Sequence, residues 1–295
     1  MPILRSQIRA ALGTSWPPEV PLEFVRESVG LVRQTRDLSG LRGTRAPLAE
    51  QLIAGPRSIE GELHLQPTLG ELVALLPTIL GGNWLPGTAG SHVCSPREII
   101  PDVTLAIDRP PRLYRYSGCK FVLARLIARC GQPVALTLGV AGIDETVEDH
   151  SLLPEPAVAR SPLRFTDVHL VVNGTPRECS HVEIVIENVA LGDRYVHSLT
   201  RVDLPIVDRR LGVTLELPFE ATSHDLDPSP ESLAFAHLRL ATGTEAVEFL
   251  FPRVRFTTQF SSASEQTPLG LTLAGLPTAL PGEPELRVVY TPHTS

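Results

Sequence analysis

The sequence predicts a mainly β protein of two tandem β-sandwich or barrel units, each with a flanking α-helix, and three observations carry that expectation. The 28 prolines and 22 glycines are scattered between short apolar runs, the punctuation of many strands joined by turns. Several of those runs alternate apolar with polar residues at the strand period of two. The order strand, helix, several strands then occurs twice, once in each half of the 295 residues. A chain of that length also exceeds the usual domain of roughly 100 to 200 residues, so two compact units are expected. The division that follows is an N-terminal arm over 1–20, a first β domain over 21–151, a proline-rich connector over 152–162 and a second β domain over 163–295.

The arm carries Trp16-Pro17-Pro18 and little periodicity, so it is expected to order against a partner. Strand signal begins at Leu22 and runs through Val32, and a polar, glycine-punctuated loop extends to about Pro56. In the segment from Arg57 to Gln66, Ile59, Gly61, Leu63 and Leu65 alternate with polar residues and predict a half-buried strand. Thr68 and Glu71 have capping-box spacing, and Leu69, Leu72, Val73, Leu76, Ile79 and Leu80 fall at helical spacing before Gly81-Gly82. Pro77 lies inside that run and bends or disturbs its last turn. Strands are expected at 103–108, 112–116, 119–129 and 134–141, with Asp144 to Asp149 as a solvated acidic turn. Pro154, Pro156 and Pro162 stiffen the connector.

In the second half, Asp167 to Asn173-Gly174 is a strand running into an Asn-Gly turn, with its hairpin partner expected from Cys179 through Asn188. Arg210 to Leu217 matches Arg57 to Leu65 in its arginine and alternation. Ser229-Pro230-Glu231 has the form of a helix start, with Leu233, Ala236, His237 and Leu240 on one face and Gly243 as the stop. Strands are expected at 246–251, 253–260, 269–274 and 286–291.

Composition excludes several classes of function. Hydrophobic residues at 42% and charged residues at 20% rule out a disordered chain. A net charge of −7 opposes tight binding of nucleic acid phosphates. No run approaches the roughly 18 apolar residues of a membrane span, so no membrane anchor is expected, and the N-terminus carries no signal-peptide pattern. Cys94, Cys119, Cys130 and Cys179 form no CxxC pair and are expected to be buried free thiols. Lys120 is the only lysine among 26 basic residues. Arginine's planar fork suits subunit interfaces, and a coding preference for arginine accounts for the excess equally well.

No nucleophile motif, zinc motif, phosphate-binding loop or dinucleotide fingerprint is present, so no catalytic, cofactor-binding or metal-ligating residues are assigned. His224, Asp225 and Asp227 make the tightest cluster of titratable groups, and a turn leading into the expected helix is sufficient cause for it.

The run from Tyr116-Ser117-Gly118-Cys119 through Gly131-Gln132-Pro133 to Leu138 resembles a segment of the phage tail tube protein family. Pro162 to Gly174, His181 to Asn188, Thr214 to Leu217 and Phe251-Pro252-Arg253-Val254 are similar to that family's second half. The resemblance spans about residues 20–260, with departures in the proline-rich loops and in the lack of a Phe-Gly opening. It implies a structural, non-enzymatic protein whose tail-tube-like units self-assemble into stacked rings around a DNA-conducting channel. A duplicated chain favours a homotrimer with pseudo-sixfold symmetry, and a hexamer is the alternative. The implied partners are copies of itself, other tail proteins and genomic DNA passing without tight binding, in a virion tail assembled in the host cytoplasm. The loops at 33–56 and 81–102 are expected to contact neighbouring rings. The second reading is a β-sandwich binding module, carbohydrate-binding or adhesin-like, at a tail tip. Aromatic residues at 5%, with Trp16 and Trp84 far apart, weigh against it.

Overall fold

The computed structural model describes residues 9–14, 18–37, 52–149, 153, 161–192, 194–218, 233–260 and 270–293. In chain order the first half holds β1 (Arg9–Gly13), β2 (Val20–Leu22), β3 (Arg26–Glu27), β4 (Gly30–Asp37), β5 (Leu52–Leu65), α1 (Leu69–Leu80), β6 (Leu85–Pro86), β7 (His92–Cys94), β8 (Val103–Arg109), β9 (Arg112–Arg129), β10 (Ala135–Gly142) and β11 (Asp144–Glu148). The second holds β12 (Val168–Val172), β13 (Thr175–Arg177), β14 (His181–Ala190), β15 (Ile206–Pro218), β16 (Ala234–Thr242), β17 (Glu245–Phe260), β18 (Gly270–Pro277) and β19 (Arg287–Thr291).

All the strand ladders are antiparallel, and they form one continuous system. A long run has the order β4-β5-β10-β9-β14-β15-β18-β17. Two of its strands are long enough to serve a second run as well. The first part of β9 pairs with β8 on one edge and β11 on the other, and β1 and β2 follow outward from β8. The first part of β17 likewise pairs with β16 and β19, with β12 and β13 outward from β16 and β7 and β6 outward from β19.

Strand alternation puts Leu63, Leu138, Ala124, Ile186, Val213 and Leu273 on one face of the long run, and all are buried. That face packs into a single core with residues from both halves. Helix α1 lies inside this core, against β9, β16, β17 and β7, and buries Leu69, Leu72, Leu75, Leu76, Ile79 and Leu80. Its capping box is formed as expected: the Glu71 amide donates to the Thr68 hydroxyl and the Thr68 amide to the Glu71 carboxylate. Pro77 has no N–H for the Val73 carbonyl, and the Trp84 indole donates to that carbonyl instead, at 3.0 Å. Gly81 closes the helix in the left-handed region at φ 77, and a Cβ there would collide with the Ile99 carbonyl.

Two buried polar clusters tie the layers together. Asn188, 1% exposed on β14, donates its amide to the carbonyls of Ile79 and Phe121 at 3.0 and 2.9 Å. Arg209 on β15 donates to the Asn188 side-chain oxygen and to the carbonyls of Leu80 and Arg97. Burial holds the Arg209 pKa below its ordinary value, against the pull of Glu285 and Glu98. Elsewhere Arg109 donates to both Glu27 oxygens, to the Tyr116 hydroxyl and to the Val29 carbonyl. Burial acts to lower its pKa, yet those bonds and charges hold it above the ordinary value. Burial, opposed by Arg109, pushes Tyr116 up to about 12.

Several expectations are corrected. Residues 234–242 are strand β16, so α1 is the only α-helix among the described residues. Ala236, Leu238 and Leu240 are buried at period two while Phe235 and Arg239 are exposed, and Gly243, at φ 62, turns the β16–β17 hairpin. The Asn173-Gly174 turn does form, with both residues at positive φ, but its partner is β13. β14 pairs instead with β9 and β15. The acidic segment from Asp144 is strand β11, its charge balanced by Arg57 against Asp144 and Arg115 against Glu148. Residues 9–13 of the expected arm are β1, seated on β8. The segment 81–102 folds back as β6 and β7 on the edge of β19, not as a free loop. Trp16, most of the connector, residues 38–51 and His224, Asp225 and Asp227 lie outside the described residues.

Replacing Asn188 by Ala leaves two buried carbonyls without their side-chain donor and removes one of the three acceptors of Arg209. At ~1 to 3 kcal/mol for each of the two carbonyls left unpaired, Asn188→Ala is expected to cost about 2 to 6 kcal/mol. A urea unfolding midpoint unchanged from the parent protein would contradict this.

Candidate functional site

The other face of the long run is built from different residues. Rows crossing the strands read His64, Thr137, Arg125, Val185 and Gly212, then Glu62, Gly139, Leu123, Glu187 and Arg210. A third continues from Ile127 through Glu183, Thr214 and Ala274 to Thr257. Small, hydroxylated and charged side chains prevail, so this face presents a low, hydrated surface instead of a second core.

Its carboxylates have partners. Glu183 meets Arg125 at 2.9 Å and Glu187 meets Arg210 at 3.7 Å. Glu62 lies 3.2 Å from the His64 ring, and Glu60 takes the Ser58 hydroxyl at 2.6 Å with Arg201 at 3.7 Å. The face carries interleaved charges of both signs. Near its middle an open hollow of about 600 Å³ lies over Glu62, Leu123, Gly139 and Glu187, bordered by Gly192, Arg201 and Leu204. The chain between β14 and β15 folds back to form that border, anchored where the Arg57 amide donates to the Leu199 carbonyl at 2.8 Å.

The two ends of the long run are open. Among the described residues β4 pairs only with β5, and residues 255–260 of β17 pair only with β18. Each therefore presents a row of backbone donors and acceptors, the feature that drives strand addition. Val32 on one edge and Thr257 on the other are exposed. Leu52 and Ile53, at the end of the β4–β5 ladder, are exposed as well.

Among the described residues no group of three His, Cys, Asp or Glu side chains is placed to hold a metal ion. The buried thiols of Cys94 and Cys119 are pushed up to about 11 and about 12, chiefly by desolvation, which makes them poor nucleophiles at neutral pH. Edge strands and a polar sheet face are assembly features. The sequence hid them because edge status depends on which strands pair, not on residue type.

A family profile described as phage tail tube protein matches residues 4–287. A search of curated proteins finds no match.

The Arg125–Glu183 pair lies on the open face, with the Arg125 side chain 49% exposed. Glu183→Gln is accordingly expected to change stability by no more than about 1 kcal/mol, an effect that shrinks as salt is added. Thermal melts at low and high salt measure it, and a loss of several kcal/mol at high salt would show that the pair is structural.

Proposed function

Because the chain belongs to the phage tail tube protein family and is thus a structural subunit of the virion tail, we propose that three copies join edge to edge into a ring, and that rings stack into a DNA-conducting tube. The observation that carries this reading is the β9·β14 ladder inside the chain. The pairing order around it occurs twice. The β1–β2 hairpin sits on β8 as the β12–β13 hairpin sits on β16. The sequence β4-β5-β10-β9 is matched by β14-β15-β18-β17. Each half is then one tube-forming unit, and the β9·β14 ladder is a unit-to-unit junction within a single chain.

The open edges of β4 and β17 are the counterparts of the two edges that this junction pairs. Bringing β17 of one copy against β4 of the next repeats it, removes both free edges and closes the sheet. Two units per chain give six units in a ring of three, and pairing of unlike edges makes the contact head-to-tail, the kind that closes rings. The polar face then lines the channel, where interleaved ion pairs and small side chains give DNA phosphates no extended basic track to grip. Assembly takes place in the host cytoplasm, and the chain performs no catalysis.

The in-chain junction also supplies a register. Leu63 and Leu65 pair with Leu138 and Leu136 as Leu215 and Leu217 pair with Leu273 and Leu271. Carrying the Glu187↔Leu123 pairing across this correspondence sets Val32 of one copy opposite Thr257 of the next. In a Cys130→Ser background, a chain bearing both Val32→Cys and Thr257→Cys is expected to give covalent dimers and trimers on oxidation, and either change alone should give no trimer. Electron microscopy should show rings with a hollow centre. A protein that stays monomeric at high concentration and yields no linked species would refute the ring.

A further inference from the structure

The last cross-strand pair of the β9·β14 ladder is Arg129↔His181. One step further, the Cys130 amide donates to the Ser180 carbonyl at 2.9 Å, and Cys179 is the next residue along. A residue one step diagonal from a paired position lies about 6 Å away, given ~5 Å across a ladder and ~3.4 Å along a strand. That falls within the roughly 4.4 to 6.8 Å between Cα atoms that a disulfide spans. The pleat breaks at Ser180, whose amide donates to the Glu216 carbonyl on β15 while its carbonyl accepts from Cys130 on β9, so strict alternation no longer sends the two side chains to opposite faces.

The four cysteines divide into two kinds. Cys94 and Cys119 are buried, whereas Cys130 is exposed and Cys179 half-buried. Desolvation first, and then the neighbouring Cys130 thiol, push the Cys179 pKa up to about 11. The expectation of four buried thiols therefore fails at this pair.

We propose that Cys130 and Cys179 are a dithiol poised to form a disulfide across the end of the β9·β14 junction when the protein meets a small-molecule disulfide. The exposed Cys130 thiolate attacks one sulfur of the reagent and expels one thiol, leaving a mixed disulfide. Cys179, deprotonated only in small part at neutral pH because its thiol is desolvated, then attacks the Cys130 sulfur as the thiolate and expels the second thiol, which makes this the slow step. Two protein thiols are oxidised and one reagent disulfide is reduced to two thiols. The bond closes a covalent loop around the connector at 152–162, so the two halves stay joined even where that connector is cut.

The test treats the full chain with oxidised glutathione and follows intact mass, peptide mapping and thermal melting. Expected is the loss of two hydrogen masses, a linked peptide pair containing Cys130 and Cys179, and a melting temperature several degrees above that of the reduced protein. Cys130→Ser and Cys179→Ser should each abolish the linked pair and the shift. Both variants should melt with the parent protein in reductant, which separates the bond from any packing role of the thiols. A protein that stays fully reduced, a stable glutathione adduct on Cys130, or a bridge between two chains would overturn the proposal.

Discussion

Hydrogen bonding between β9 and β14 makes two stretches of chain, each about half the molecule, into one sheet. The ladder runs without interruption from Arg129↔His181 to Glu187↔Leu123. Beneath it Ala124, Leu126 and Ala128 meet Ile186, Ile184 and Val182, all buried, so the register is fixed by packing as well as by the bonds. A slip of β14 by one residue would send Val182, Ile184 and Ile186 to the hydrated face and bring Glu183 and Glu187 into the core. Register at this junction is therefore worth far more than any ion pair on the surface.

Helix α1 depends on the same junction. Asn188, at the end of β14, satisfies one carbonyl in the last turn of α1 and one on β9, and Arg209 reaches a further helix carbonyl. These are groups that any helix leaves without internal partners. Here the second half of the chain supplies what the helix of the first half lacks. Pro77 frees one more carbonyl, and Trp84 occupies it. The helix is thus completed by side chains from β14, from β15 and from the segment that follows it.

Local chemistry was legible in the sequence, and pairing was not. The capping box at Thr68 and Glu71, the stop at Gly81 and the turn at Asn173-Gly174 each depend on residues a few positions apart. Residues 233–243 misled because Leu233, Ala236 and Leu240 fit helical spacing while Ala236, Leu238 and Leu240 fit strand spacing equally well. Burial between β12 and β17 decided for the strand. The partner of β14 was misassigned for a related reason. An Asn-Gly turn announces a hairpin but not its length, and β13 is only three residues long. The assembly edges were least legible, because nothing in Val32 or Thr257 marks a strand as the last in its sheet.

The scarcity of lysine has an electrostatic consequence for the open face. Its cations there are arginines, among them Arg125, Arg210 and Arg255, and Lys120 sits beside Asp102 with its side chain 12% exposed. Guanidinium groups keep their proton up to about pH 12, and ordinary carboxylates lose theirs by about pH 5. On a face whose cations are guanidinium groups, reagents that consume primary amines find almost nothing to neutralise.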